Sequence, residues 1–233
     1  WYVAKSYPEY LSSAEYMTLY NKGRASDGLS PLYKDEIYDF GAGDNPYRYP
    51  NVDYYSSDYI RKAYNRSEAT AEIEGGGKRA HFYSNINFYR VGDVFKFGEA
   101  KRNHTNRFNV RGNVDVNISD DIKAYVNANA TFYDASSAKG DYWSTAASMR
   151  PNYPQNAAPL IPIDYISPSA TNAWALINNA NLIDGKYFLA GSQENSTHIF
   201  GDIYSAGKTK YTSRQFQFDT GIKINLAKLL KGL

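Results

Sequence analysis

Pairs of carboxylates are the first groups in the sequence that could do chemistry, because two acidic side chains can act as acid and nucleophile in glycoside hydrolysis. The candidates are Glu72 with Glu74, and Asp120 with Asp121. Glu72 and Glu74 share one face of a short predicted strand, and Asp120 and Asp121 lie in a predicted turn. We interpret both pairs as solvated or lumen-facing charges. The sequence therefore predicts no catalytic residue, and we expect that the chain is not an enzyme.

A glycine-rich segment and three histidines are the next candidates, for phosphate or metal binding. Gly75-Gly76-Gly77-Lys78 has the composition of a phosphate-binding loop, but it lacks the full spacing and a following Ser or Thr. It also joins two predicted strands, so we interpret it as a hairpin turn. His81, His104 and His198 lack the helical spacing of a metal-binding pair, and the chain has no Cys. We expect no cofactor and no metal.

Tyrosines are the best candidates for ligand binding, because the chain has 23 of them. An aromatic ring can stack on the apolar face of a sugar while its hydroxyl bonds to sugar hydroxyls. The alternative is that these rings pack the loops together or contact a partner protein. The candidate substrate-binding residues are Tyr47, Tyr49, Tyr54, Tyr55, Tyr142, Trp143 and Tyr153.

Alternation of polar and apolar residues predicts the strands that position these loops. The predicted strands cover residues 80–91, 105–118, 122–134 and 213–225, with a shorter one at 69–75. Most of them exceed the roughly 5–6 residues of an average soluble strand. They match the roughly 9–11 residues that a tilted strand needs to cross a membrane. The fold class is therefore predicted to be all-β, an antiparallel transmembrane β-barrel segment.

The predicted connections alternate between short and long. The short ones are 75–78 and 119–121, and the long ones are 92–104 and 135–211. Outer-membrane barrels have short periplasmic turns and long extracellular loops. With this topology, an aromatic girdle is predicted near the external end of the apolar face. Its members are Phe88, Phe108, Phe132 and Phe216.

The polar face of the same strands is predicted to line a hydrated lumen, because its amides and charges cannot face lipid without partners. In a soluble β-sandwich, this face would instead meet bulk water. The predicted lumen-facing residues are Tyr83, Asn85, Asn87, Tyr89, Asn109, Arg111, Asn113, Asp115, Tyr125, Asn127 and Asn129.

Composition narrows the class of protein further. The net charge of +2 and the scattered basic residues give no reason to expect nucleic acid. The sequence contains no run of about 18 apolar residues, so it predicts no transmembrane helix.

The predicted organisation is an extracellular loop region with a short helix at 14–21, then strands, a long extracellular loop, and a last strand with a periplasmic turn. These four parts cover residues 1–68, 69–134, 135–211 and 212–233.

Several segments of the sequence resemble the SusC-like family of TonB-dependent outer-membrane transporters. They are 45–66, 70–77, 82–97, 107–115, 125–133 and 150–162. The resemblance implies a barrel of about 22 strands that is closed by a plug domain and paired with a SusD-like surface lipoprotein. It also implies import of glycans, or sometimes peptides, with energy from the TonB system, and a place in the outer membrane of a Gram-negative bacterium.

The chain itself is expected to be one piece of such a transporter. It opens at Trp1 without Met, and it has neither a recognisable plug nor enough strands to close a barrel. The main alternative is a β-rich carbohydrate-binding or adhesin module without transport. A secreted β-sandwich glycoside hydrolase is a third possibility, which would need an acid and nucleophile pair that the sequence does not offer.

Overall fold

A computed structural model of the chain describes residues 2–3, 7–149, 159–180, 182–191 and 198–227. The helices are α1 (Ser13–Ser26), α2 (Glu36–Ala42), α3 (Tyr142–Met149), α4 (Thr171–Asn178) and α5 (Gly201–Tyr204). The long strands are β3 (Arg66–Gly76), β4 (Ala80–Gly92), β5 (His104–Asn117), β6 (Ile122–Ala138) and β9 (Lys208–Ile224). The short strands are β1 (Tyr2–Val3), β2 (Ala63–Tyr64), β7 (Leu160–Pro162) and β8 (Tyr187–Leu189).

The long strands form one antiparallel sheet in the order β3-β4-β5-β6-β9. Each predicted long strand is present, and the structure extends several of them at the end that carries the long connections. β6 continues to Ala138, four residues past its predicted end, and β9 begins at Lys208, five residues before its predicted start. The chain is thus a mostly antiparallel β-protein whose sheet is continuous across five strands.

The strand register keeps the predicted faces separate across the whole sheet. In one transverse row Ile86 faces Val110, which faces Ala130, and Ala130 faces Phe216. The neighbouring row on the opposite face joins Asn85, Arg111, Asn129 and Gln217 in the same way. A slip of one residue in any strand would exchange the faces. The alternation in the sequence therefore predicted the two faces as well as the strands.

Both predicted classes of connection are present, at opposite ends of the sheet. Tight turns join β3 to β4 and β5 to β6 at one end, and the segments 93–103 and 139–207 leave from the other. Three members of the predicted aromatic girdle lie toward the end with the long connections, and the fourth, Phe216, lies at the middle of β9. Phe88, Phe108 and Phe132 form one transverse row, and the ring of Phe216 stands perpendicular to that of Phe132 at 5.8 Å.

The buried core lies in the long connections, not on the sheet. It brings together side chains from before β3, from the β4–β5 connection, and from between β6 and β9. The largest of its fully buried members are Tyr54, Tyr204, Phe200, Ile60 and Ile203. We call the whole set the loop core, defined as Val52, Tyr54, Tyr55, Ile60, Val94, Phe95, Ala100, Ala138, Tyr142, Ala146, Leu160, Ile183, Phe200, Ile203 and Tyr204.

Helix α1 corresponds to the predicted helix but is longer, and its start is fixed by a capping box. The Ser12 hydroxyl accepts from the Glu15 amide at 3.3 Å, and the Glu15 carboxylate accepts from the Ser12 amide at 2.8 Å. These two bonds satisfy donors that a helix start leaves free. The Ser13 hydroxyl then donates to the carbonyl of Pro50 at 3.0 Å and ties the helix to the following segment.

Two segments that the sequence suggested to be irregular contain regular elements. Helix α2 lies in the predicted loop region 1–68, outside the one helix predicted there, and Gly43 ends it with a φ of 70° that suits a C-terminal glycine. The predicted loop 135–211 contains the helices α3, α4 and α5 and the paired strands β7 and β8. The last part of the predicted turn region, residues 228–233, lies outside the described residues.

Gly98 gives a test of the loop core. Its φ is +58°, and a Cβ there would lie 2.2 Å from the carbonyl oxygen of Tyr204. Gly207, with a φ of +89° and open space around it, is the matched control for the backbone effect alone. We expect Gly98→Ala to lower the free energy of unfolding of the loop core by about 1–3 kcal/mol more than Gly207→Ala. Denaturant unfolding followed by tryptophan fluorescence measures both, and equal losses would contradict this packing.

Candidate functional site

The predicted sugar-binding aromatics fall into three structural groups, and the first group is buried. Tyr54 is 0% exposed and Tyr142 is 2% exposed. Tyr55, at 9%, is also part of the loop core. A ring without an open face cannot stack on a sugar, so packing explains Tyr54 and Tyr142 and corrects the prediction of direct contact for them. Tyr153 lies outside the described residues.

Burial also controls the chemistry of these hydroxyls. The Tyr142 hydroxyl donates to the backbone carbonyl of Tyr54 at 2.6 Å, which links helix α3 to the segment before β2. Burial raises the pKa of Tyr54 and of Tyr142 well above the usual range, and it does the same for Tyr204. These groups therefore stay neutral inside the loop core at any physiological pH.

The second group forms a partly open aromatic surface around Trp143, which is 39% exposed. Its indole stacks with the Tyr7 ring at a centroid distance of 6.1 Å, and it also contacts Tyr55. Tyr10 in turn stacks on Tyr55 at 5.5 Å. We call these four residues the Trp143 surface. Tyr55 is buried beneath the other rings, while Tyr10 and Trp143 remain open to solvent.

The third group comprises Tyr47 and Tyr49, which the structure separates. Tyr49 packs against Phe40 at 5.2 Å, and the guanidinium of Arg48 lies 5.4 Å from the centre of its ring. Tyr47 contacts Tyr165 at 4.5 Å and lines an open cavity. Among the predicted aromatics that the structure describes, Tyr47 alone borders this cavity.

The cavity has a volume of about 270 Å³ and combines aromatic, aliphatic and acidic walls. Its aromatic side is continuous: the ring of Phe97 contacts those of Tyr187, at 5.2 Å, and Tyr59, at 6.1 Å. We call it the tyrosine cavity. Its lining comprises Pro46, Tyr47, Asn51, Val52, Asp53, Asp58, Tyr59, Phe97, Pro159, Leu160 and Tyr187.

The polar side of the tyrosine cavity comes from residues that the sequence interpretation missed. Asp53 is fixed by its own loop, since its carboxylate accepts from the Tyr55 amide at 2.8 Å. Neither Asp53 nor Asp58 takes part in an ion pair with a described residue. Rings beside carboxylate and amide oxygens can stack on a sugar and accept its hydroxyls. In the sequence, the signal for these two aspartates was their place among the closely spaced tyrosines of this segment.

The predicted lumen-facing residues do share one face of the sheet, where they bond to one another. Asn85 donates to the Glu72 carboxylate at 2.8 Å, and the Tyr83 hydroxyl donates to the same oxygen at 3.1 Å. On the same face, near the other edge of the sheet, Asn127 donates to Asp219 at 3.2 Å. These bonds align polar groups across neighbouring strands, and they give this face a continuous hydrogen-bonding surface.

The sequence candidates for other chemistry stay apart in the structure. Glu72 is bound to Asn85 and Tyr83 on the polar face, and Asp121 lies in the β5–β6 turn. Among the described residues, no group of three His, Cys, Asp or Glu side chains could hold a metal ion. No helix in the described part of the chain is long and apolar enough to cross a membrane.

No family model, curated protein or solved structure matches the chain. The resemblance to SusC-like transporters thus depends on the sequence segments alone, and it stays a prediction.

The buried tyrosines make the loop core sensitive to high pH. Since burial raises their pKa, the unfolded chain loses protons from pH about 10 upward while the folded loop core keeps them. The free energy of unfolding should therefore fall above pH 10, by about 1.4 kcal/mol per pH unit for each such group. Tyr142→Phe should remove the contribution of one group from this slope. It should also lower the free energy of unfolding at neutral pH by about 1–3 kcal/mol, because the hydrogen bond of the hydroxyl is lost.

Denaturant unfolding at a series of pH values checks the slope, and Tyr211→Phe is the control because Tyr211 is 60% exposed. The same slope for wild type and Tyr142→Phe would contradict the burial of this hydroxyl.

Proposed function

We propose that the chain forms part of the wall and the extracellular loops of a SusC-like, TonB-dependent outer-membrane transporter that imports glycans. The observation that carries the proposal is the apolar face of the five-stranded sheet, which is continuous in register and uncovered. In this proposal lipid covers that face, the polar face lines a lumen, and the loop core lies outside the cell. A SusD-like lipoprotein would be the partner at the surface.

The energy of the apolar face supports a lipid environment. Twelve of its large side chains are between 38% and 72% exposed, although each belongs to a well-paired strand. They are Ile73, Phe82, Ile86, Phe88, Phe108, Val114, Val116, Val126, Phe216, Phe218, Ile222 and Ile224. At roughly 1 kcal/mol for half of each side chain, water contact would cost on the order of 10 kcal/mol. That is comparable to the whole net stability of a domain, about 5–15 kcal/mol.

The height of this face fits a bilayer. Ten residue steps separate Ile122 from Phe132 along β6, which is about 34 Å of strand. At the tilt of about 40–45° that membrane barrels adopt, this length corresponds to about 25 Å along the membrane normal. The apolar band of an outer-membrane barrel has the same height. Beyond Phe132 the face carries Asp134, which pairs at 2.9 Å with Arg214, the residue opposite Phe132 on β9.

The edges of the sheet support membership of a larger barrel. β3 and β9 each pair on one side only in the described part of the chain. Unpaired backbone groups are not tolerated in hydrocarbon, and membrane sheets are therefore closed. Further strands must pair with both edges if this sheet lies in a membrane.

The loops support a carbohydrate ligand more weakly. The tyrosine cavity pairs ring faces with the oxygens of Asn51, Asp53 and Asp58, and the Trp143 surface offers further aromatic edges. The main alternative function, a β-rich carbohydrate-binding or adhesin module without transport, would use the same loops. It differs in what covers the apolar face, which makes that face the point to test.

Spin labels on single cysteines test the membrane position directly, because the natural chain contains no Cys. In the full-length protein in lipid vesicles, labels at Val110→Cys and Val114→Cys should collide with oxygen dissolved in the bilayer. Labels at Asn109→Cys and Asn113→Cys should collide instead with a water-soluble nickel chelate. The period of two follows from the register of β5.

Asp120→Cys, in the β5–β6 turn, is the aqueous control for this experiment. Equal nickel accessibility at all four strand positions would refute the membrane wall. If the full-length protein stayed in solution without detergent, that result would also refute the membrane wall, and it would favour the adhesin alternative.

The tyrosine cavity gives a separate prediction about the ligand. Tyr47→Ala should weaken binding of the glycans that the full-length protein retains on a glycan array, by roughly tenfold, because a stacking ring contributes more than about 1 kcal/mol. Tyr38→Ala is the matched control, since Tyr38 is 77% exposed and does not line the cavity. Equal effects of the two substitutions would show that the cavity is not the glycan site.

A further inference from the structure

A second cavity in the loop region is strongly basic. It has a volume of about 410 Å³ and lies between the segment before β3 and the β4–β5 connection. Four cationic side chains border it, against one acidic side chain. The cations are Arg61, Arg90, Lys101 and Arg102, and we call this cavity the arginine pocket.

Two of the four cations already have partners. The Lys101 ammonium pairs with Asp184, and the Arg102 guanidinium lies 3.7 Å from the Glu99 carboxylate. Arg61 and Arg90 form no ion pair with any described residue. Two of the guanidinium groups in the pocket are therefore without an ionic partner in the described part of the chain.

The acidic side chain of the pocket, Asp93, forms no ion pair with either arginine, and neutral donors hold its two oxygens. Its single negative charge leaves the two guanidinium groups in excess. One oxygen of Asp93 accepts from the Val94 amide at 2.8 Å, and the other accepts from the Asn103 side chain at 3.1 Å. Asn103 is itself fixed, since its oxygen accepts from the Ala138 amide at 2.8 Å. The wall of the pocket is thus held in place without using the arginines.

His104 adds a further polar group at a defined orientation. Its Nδ1 lies 2.8 Å from the carbonyl oxygen of Arg102, and a carbonyl can only accept, so Nδ1 carries a proton. The other ring nitrogen, Nε2, is then the group that can face a ligand.

The position of the pocket decides which anion it would meet. Arg90 follows Phe88 by two residues on β4, and therefore lies on the same apolar face, about 7 Å beyond the aromatic row. His104 lies one transverse row further along that face. In the proposed membrane position, aromatic rings mark the border of the hydrocarbon. The arginine pocket then lies at the level of the outer-leaflet headgroups.

We propose that the arginine pocket binds the phosphate group of a membrane lipid, with Arg61 and Arg90 as its charged ligands. Guanidinium groups match phosphate oxygens in geometry and charge. This inference rests on the proposed function, since the membrane position is what brings a lipid phosphate to the pocket. A bound headgroup would anchor the β4–β5 connection, which carries Phe97 of the tyrosine cavity, at the membrane surface.

The test is retention of a phospholipid by the full-length protein in detergent, measured by native mass spectrometry. Phosphatidic acid, which exposes its phosphate, should be retained, and phosphatidylcholine much less. Arg61→Gln with Arg90→Gln should lower retention of phosphatidic acid at least about tenfold, since a hydrogen bond to a charged group contributes about that factor. Arg61→Lys with Arg90→Lys should restore part of it.

Arg79→Gln removes a cation at the opposite end of the sheet and is the matched control. Unchanged retention in the double glutamine variant, or equal retention of phosphatidylcholine, would overturn the proposal. Inorganic phosphate that binds the delipidated protein as tightly as phosphatidic acid would assign the pocket to a soluble anion instead. The spin-label experiment reports the membrane position independently, so failure of the wall and failure of the pocket can be distinguished.

Discussion

The structure depends on one physical constraint, which is that the five-stranded sheet does not bury either of its faces within the described chain. Its backbone is paired across five strands, but most of its apolar side chains stay exposed among the described residues, and the loop core buries Ala138 at one end of β6. A soluble sheet normally covers its apolar face with another layer. The sheet is therefore stable only if something outside these residues covers that face, and the proposed function follows from choosing lipid.

Unlike the sheet, the loop core is compact, aromatic and buried, and it packs apart from the exposed faces of the sheet. Phe200 contacts Tyr54, Tyr142 and Tyr204 at centroid distances between 4.4 and 5.7 Å. It draws its residues from segments that the sheet brings to one end, so the strand order determines which loops can meet. This arrangement gives the long connections a rigid base from which the tyrosine cavity and the arginine pocket can open.

The sequence predicted the sheet far better than the loops, and the reason is physical. A period of two reports the strand and its faces together, so the alternation alone assigns Val110 and Asn109 to opposite faces. Loop packing has no such period. Tyr47 and Tyr54 are seven residues apart and have the same side chain, yet one lines a cavity and the other is fully buried. That difference depends on contacts with Tyr165 and Phe200, which are distant in sequence.

The abundance of tyrosine then has two explanations within one chain. In the loop core the rings supply apolar area, and a hydroxyl such as that of Tyr142 satisfies a backbone carbonyl that the irregular loops leave without a partner. In the tyrosine cavity the same ring chemistry faces solvent beside Asp53 and Asp58. A loop region rich in tyrosine can therefore build its support and its binding surface from one residue type. Burial, and not residue identity, separates the rings available to a ligand from those that hold the loops together.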